Sequence, residues 1–117
     1  MNKMVIAAAG FVFAVGLTGL AAAAEKSVTG TLEDSFCYVT LGAHGASHKK
    51  CAMGCAKKGI PVALVEKGTD KMYILLPPKN AESLPASVIS KMEDEVTVSG
   101  DDYSKGGIEY LTVKSVK

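Results

Sequence analysis

The stretch SVTGTLEDSFCY, residues 27–38, decides how the rest of the chain is interpreted. Polar and apolar side chains alternate along it, with Val28, Gly30 and Leu32 on one face, and this period of two predicts a strand that lies against a core. A glycine inside a strand is typical of a bulge or a sharp bend, as a small barrel requires. We therefore expect a bent first strand that runs as far as Cys37 and Tyr38.

The segments after this strand occur in the order of one small barrel. A loop and a short helix come first, and the helix carries two of the three cysteines. The later segments are a hairpin, a second helix and two more strands separated by a turn. The predicted ranges are 39–46 for the loop, 48–58 for the helix, 61–66 and 71–76 for the hairpin, 83–92 for the second helix, 95–100 and 108–116 for the last strands, and 101–107 for the turn. This order predicts an OB-like five-stranded Greek-key β-barrel, with a helix between strands 3 and 4 and a short cysteine-bearing helix inserted after strand 1.

Residues 1–24 have the pattern of a secretory signal peptide. Lys3 supplies a positive charge, the run that follows is apolar, and the alanines at positions 22–24 supply small residues directly before Glu25. The alternative is an uncleaved anchor, because no charged residue lies between Lys3 and Glu25 and a run of this length can just span a bilayer. We predict cleavage before Glu25 and a single domain over residues 25–117. The protein is then periplasmic or secreted in a bacterium, and after cleavage it is not integral to the membrane.

Composition limits the function of this domain. The chain has 13 basic residues, all of them lysine, against 12 acidic residues. Nucleic-acid-binding domains usually carry a basic excess and use arginine for their contacts, so we expect no nucleic-acid partner. A chain of 117 residues, less its leader, suits one small core. This length excludes a two-domain enzyme and a multi-span membrane protein.

His48, Cys51 and Cys55 form the pattern that carries chemistry. A spacing of i, i+3 and i+7 places their side chains on one face of a helix, and Cys37 can fold back over that face from the end of the first strand. Three thiolates and one imidazole are the ligands of a tetrahedral Cys₃His zinc site, and thiolates also suit Cu(I). His44, on a loop between glycines, is a second candidate imidazole. We predict a zinc or copper site formed by these residues.

The same cysteines allow two other interpretations. In an oxidising compartment, a disulfide from Cys37 to Cys51 or Cys55 would stabilise a small domain by about 3 kcal/mol. The domain would then be an interaction or ligand-binding module without metal. The third interpretation is a thiol redox protein, because Cys51 lies near a helix start, where thiols are more nucleophilic. The C-x₃-C spacing of Cys51 and Cys55 differs from the C-x₂-C of thiol oxidoreductases.

No catalytic arrangement is recognisable, so we expect a binding protein rather than an enzyme, with a metal ion and another periplasmic protein as candidate partners.

Asp34 is the acidic residue with a candidate role near this site. It shares strand parity with Leu32, so its side chain is predicted to point inwards near Cys37. A carboxylate in that position orients a histidine ligand through a hydrogen bond. The alternative is an aspartate that caps a helix or lies at a strand edge. The other acidic clusters, such as residues 93–95, are expected to be solvated.

Three segments of the chain resemble a group of small secreted bacterial OB-like domains. They are the string GTLEDSFCY at residues 30–38, the pattern H-x-x-C-A-x-x-C-A that starts at His48, and the string GIPV at residues 59–62. The resemblance covers nearly the whole mature chain, and it implies an extracytoplasmic barrel. It implies no particular activity, so the metal prediction depends on the ligand pattern alone.

Overall fold

The structure is a computed structural model that describes Gly10 and residues 23–117. The predicted signal peptide, residues 1–24, lies outside the described residues except for Gly10, Ala23 and Ala24, so its cleavage stays a prediction. Across residues 23–117, no helix has the length and apolar character needed to cross a membrane.

Short strands dominate the described chain. The strands are β1 (Ala24–Asp34), β2 (Val62–Glu66), β3 (Met72–Leu76), β4 (Glu95–Lys105), β5 (Ile108–Thr112) and β6 (Ser115–Val116). The helices are α1 (Ser35–Leu41), α2 (Lys49–Lys57) and α3 (Ala86–Ile89), and a 3-10 turn over Ala46–His48 leads into α2.

Five of these strands form a barrel in the order β1, β2, β3, β5, β4. Pairing of β4 with β1 closes the barrel. Strands β3 and β5 are parallel, whereas the other pairs are antiparallel. The two-residue β6 pairs with β4. This topology confirms the predicted small OB-like barrel, with α3 between the third and fourth strands.

Gly30 is the point at which β1 changes partners. The residues before it pair with β4 and the residues from Leu32 onwards pair with β2, while Gly30 and Thr31 pair with both strands. A Cβ atom at Gly30 would overlap the backbone carbonyl of Val65. Glycine therefore permits the close backbone approach that the bend requires, as the sequence predicted.

The barrel encloses an apolar core to which nearly every element contributes. Its fully buried side chains include Val28, Leu32, Val62, Leu64, Tyr73, Val88, Met92, Val98 and Leu111. Leu84 packs against this core from the segment before α3. The predicted apolar stripe of the second helix, formed by Leu84, Val88 and Met92, therefore does face the core.

Two predicted helical regions differ from the structure. The first strand ends at Asp34 rather than at Tyr38, because the Asp34 side chain caps a helix that the sequence did not predict, α1. The predicted cysteine-bearing insert therefore contains two helices instead of one. The predicted helix over residues 83–92 is regular only in α3, because Pro85 precedes it in an extended conformation and Glu93 ends the following turns with a φ of +68°.

The last two strands also differ from their predicted bounds. β4 continues to Lys105, so the predicted turn over residues 101–107 shrinks to the glycine pair at Gly106 and Gly107. Both glycines have positive φ values, which a tight hairpin requires. The predicted last strand over residues 108–116 is divided into β5 and β6.

Candidate metal site

The three cysteines lie on the two helices that follow β1. Cys37 belongs to α1, whereas Cys51 and Cys55 lie one turn apart on α2. Ala52 and Ala56 attach α2 to the barrel, since both are buried in the core cluster. The small alanine side chains let α2 lie close to the barrel, and the cysteines beside them face α1.

The three thiol groups meet between these helices. The Sγ atoms of Cys37, Cys51 and Cys55 lie within 4.8 Å of one another, and all three thiols are free. The Cys51 side chain is exposed, while the other two are half-buried. An ion about 2.3 Å from each sulfur would hold two thiolates about 4 Å apart. The cluster therefore needs only small shifts to surround one ion.

Asp34 contacts both α1 and the 3-10 turn that leads into α2. Its carboxylate is fully buried. Oδ1 accepts a hydrogen bond of 2.8 Å from the backbone N–H of Cys37, and Oδ2 lies 2.7 Å from Nε2 of His48. Both predicted roles of Asp34 are therefore present, because one oxygen caps α1 and the other orients the histidine.

His48 joins the cluster through Asp34 and Cys37. One polar atom from each of these three residues lies within 4.8 Å of the other two. An ionised carboxylate can only accept hydrogen bonds, so Nε2 of His48 is the donor to Asp34. A carboxylate behind a histidine is the usual support of a metal-binding imidazole. Among the described residues, His48 is therefore grouped with Asp34 and Cys37, and Cys37 is the residue that this group shares with the three-thiol cluster.

His44 lies apart from these residues. Within the described part of the chain, neither group of close ligand atoms includes it. It lines a surface depression together with Glu33 and Tyr38. Its role as a ligand stays a prediction, and His48 is the imidazole that the geometry favours.

The surroundings of Cys37 and Cys55 favour the protonated form of these two thiols. Burial raises the pKa of Cys37 to about 11, and the hydrogen bond and negative charge of Asp34 act in the same direction. Burial, with the charges of Asp34 and Cys51, also raises the pKa of Cys55. Burial alone would raise the pKa of Asp34, but hydrogen bonds from Cys37 and His48 outweigh it and lower this pKa. Bound protons or a cation can neutralise such a cluster.

A pair of glutamates supports the loop that leads to His48, and the sequence did not predict it. Glu33 is buried, and burial together with the hydrogen bond and charge of Glu93 raises the pKa of Glu33 to about 8. Oε2 of Glu93 accepts a hydrogen bond of 2.8 Å from the N–H of Gly45. The expectation that residues 93–95 are all solvated is therefore wrong for Glu93.

Strand parity gave one signal for this pair, because Glu33 lies on the opposite face of β1 from the inward-pointing Leu32. No sequence pattern indicates that the loop would cover this outer face.

Comparisons with known proteins add no further assignment: no family model, no curated protein and no solved structure matches this chain. The functional argument therefore depends on the geometry of the site.

Proposed function

We propose that this protein is a periplasmic or secreted domain that binds one thiophilic metal ion, Zn(II) or Cu(I). Cys37, Cys51 and Cys55 supply three thiolates, and His48 supplies the fourth ligand. The observation that carries the proposal is the convergence of three sulfur atoms from two helices within 4.8 Å. Thiolates and imidazole are the ligands that both metals prefer.

The charge of the site supports a cation as its ligand. A buried carboxylate and two half-buried thiols lie together, and burial followed by the charge of Asp34 raises the pKa of both Cys37 and Cys55. A metal ion would displace the thiol protons and neutralise the resulting charge. The hydrogen bond from His48 to Asp34 would at the same time make the imidazole a better ligand.

Binding, rather than catalysis, fits this ligand set. Four protein ligands fill a tetrahedral zinc site and leave no position for a substrate, which is the arrangement of structural sites. The exposed side chain of Cys51 gives an ion a route to and from the solvent. A second periplasmic protein that delivers or accepts the ion through Cys51 is the partner we propose.

The extracytoplasmic setting rests on the leader pattern of residues 1–24 and on the resemblance to small secreted OB-like domains. Intact-mass measurement of the exported protein tests this part of the proposal. We expect a chain that begins at Glu25 or within a residue or two of it. A full-length product in the membrane fraction would contradict cleavage and would place the domain on an anchor.

Metal content per chain, measured on protein purified without oxygen, tests the site itself. We expect one ion per chain in the parent and loss of stoichiometric Zn(II) or Cu(I) binding when any one cysteine is replaced by serine. His48→Ala should weaken binding, because it removes the fourth ligand. His44→Ala is the matched control and should leave the affinity unchanged. Affinity should also fall as the pH is lowered, since protons compete for the thiolates.

The disulfide interpretation gives a different result in the same experiment. The parent would contain no metal, and mass mapping would find a bridge from Cys37 to Cys51 or Cys55. One cysteine would then be dispensable, and the other two would affect stability rather than binding. That outcome, together with no metal uptake after the bridge is reduced, would refute the metal proposal.

A further inference from the structure

We infer that Cys51 is a modification site, the thiol that enters thiol–disulfide exchange with a small-molecule disulfide, and that Cys37 resolves the resulting mixed disulfide. This exchange goes beyond metal binding, because it needs no metal. Its consequence for the metal site rests on the proposed function.

Access identifies Cys51 as the thiol that reacts first. Its side chain is exposed, whereas Cys37 and Cys55 are half-buried between the helices. Cys51 also lies in the first turn of α2. Access to the reagent is one of the features that make a protein thiol reactive.

Helix geometry selects Cys37 rather than Cys55 as the resolving thiol. Residues four apart on a helix have their Cβ atoms about 5–6 Å apart, whereas a disulfide requires about 3.5–4.5 Å. Bridging Cys51 to Cys55 would therefore distort α2, which the buried residues Ala52 and Ala56 hold on the barrel. Cys37 lies on α1, and no residue of α1 is buried. That helix can therefore shift to close the distance.

The exchange balances in two steps. In the first, the Cys51 thiolate attacks one sulfur of the reagent disulfide, the reagent S–S bond breaks, and one thiolate leaves and takes up the proton that Cys51 lost. In the second, the Cys37 thiol loses its proton as its sulfur attacks Sγ of Cys51, and the second reagent thiolate leaves and takes up that proton. The two protein thiols are oxidised to one disulfide, and the reagent is reduced to two thiols. Cys55 stays reduced.

This chemistry would release the bound ion. A Cys37–Cys51 bridge removes two of the three thiolates, which leaves only Cys55 and His48 as ligands. Metal binding and disulfide formation are therefore alternative states of the same cluster. Reduction of the bridge by a thiol would restore the site.

Oxidised glutathione is the probe that tests the inference. Metal-free, fully reduced protein is incubated with it, samples are quenched over time by alkylation, and the modified cysteines are located by peptide mass mapping. We expect a glutathione adduct on Cys51 first and a Cys37–Cys51 bridge afterwards, with Cys55 free to be alkylated throughout. The unfolded protein is the control, and there the preference for Cys51 should be lost.

Single variants separate the two steps. Cys37→Ser should accumulate the Cys51 adduct without a bridge, and Cys51→Ser should lose adduct formation. Thermal melting shows whether each serine variant is folded. The alanine replacement at the same position is measured alongside it as a second variant that lacks the thiol. A first adduct on Cys37 or Cys55, a bridge that includes Cys55, or no reaction in folded parent protein would overturn the inference.

A parallel experiment on zinc-loaded protein keeps this inference distinct from the proposed function. We expect oxidised glutathione to release zinc to a chromogenic chelator as the bridge forms. Exchange at Cys51 in a protein that binds no metal would support the inference and refute the metal proposal. Stable metal binding with no exchange in the metal-free protein would do the opposite.

Discussion

Asp34 and His48 are 14 residues apart in the chain, yet a hydrogen bond of 2.7 Å joins the buried carboxylate at the end of β1 to the imidazole in front of α2. The other oxygen of the same carboxylate binds the first turn of α1. The two cysteine-bearing helices are therefore positioned relative to one side chain. Because Asp34 is fully buried, loss of either hydrogen bond would leave an unsatisfied oxygen.

Asp34→Asn and Asp34→Ala separate the two roles of this carboxylate. We expect both to lower metal affinity by about 10- to 100-fold, because the imidazole loses its charged partner. Asparagine keeps an oxygen for the Cys37 amide, so the alanine variant should be less stable than the asparagine variant by about 0.5–2 kcal/mol, the usual value of a helix cap. Competition titration with a chelator and denaturant unfolding measure the two effects. Parent-like affinity in Asp34→Asn would show that the histidine does not need this support.

Glu33→Gln tests the glutamate pair through pH dependence. The pKa of Glu33 is about 8 in the folded protein, above its ordinary value of 4.5. The folded state therefore binds this proton more tightly than the unfolded state does. The resulting stability is fully present below about pH 4.5 and is lost as the pH rises towards 8.

Glutamine cannot ionise, and its amide can still donate to Glu93. We expect Glu33→Gln to remove this loss, and to be more stable than the parent above pH 8 by an amount on the order of 1 kcal/mol. Urea unfolding across this pH range, with Glu82→Gln at an exposed position as the control, gives the comparison. Identical pH profiles for parent and Glu33→Gln would show that the pair does not share a proton.

Gly30→Ala should strongly destabilise the barrel, by more than about 3 kcal/mol, since the new methyl group would overlap the backbone of β2. Gly54→Ala is the matched control. Gly54 lies within α2, and a Cβ there meets nothing within 4 Å. Alanine should therefore stabilise that helix by about 0.5–1 kcal/mol. Equal melting temperatures for the two variants would contradict the bend at Gly30.

Val96→Asp and Leu111→Asp should each unfold the protein or destabilise it by about 3 kcal/mol or more, because they bury an unpaired charge in a small core. Val96 is 4% exposed and Leu111 is fully buried. Ile108→Asp is the control, since Ile108 is 46% exposed at the start of β5, and we expect a change within about 0.5 kcal/mol. Parent-like melting of both core variants would exclude these strands from the core.

Much of the fold could be predicted because alternation and turn residues are local signals. The alternation of Val28, Gly30 and Leu32 gave the first strand and its bend, and the order of the later segments gave the barrel. The end of that strand could not be predicted, because it depends on a competition between the sheet and the side chain of Asp34. An aspartate can cap a helix or continue a strand, and only its partners in the folded protein decide between the two.

The shared face of Cys51 and Cys55 followed from helical spacing, but the place of Cys37 in α1 and the direction of His48 did not. His48 lies in the 3-10 turn before α2, so the periodicity of that helix does not fix where its ring points. Its hydrogen bond to Asp34 fixes the ring instead. The pairing of Glu33 with Glu93 was beyond the reach of sequence patterns, because it joins the outer face of a strand to a distant turn whose backbone has a positive φ.

Helix α1 has no buried residue, and Phe36, Val39 and Leu41 are all exposed on it. A segment with so few apolar contacts opens by local unfolding at little free-energy cost. An ion bound through Cys37 would oppose that opening, because only the closed form completes the site, and the gain would grow with the logarithm of the free metal concentration. Amide hydrogen exchange of α1 would then report how much metal surrounds the protein, while the barrel exchanged at its own constant rate.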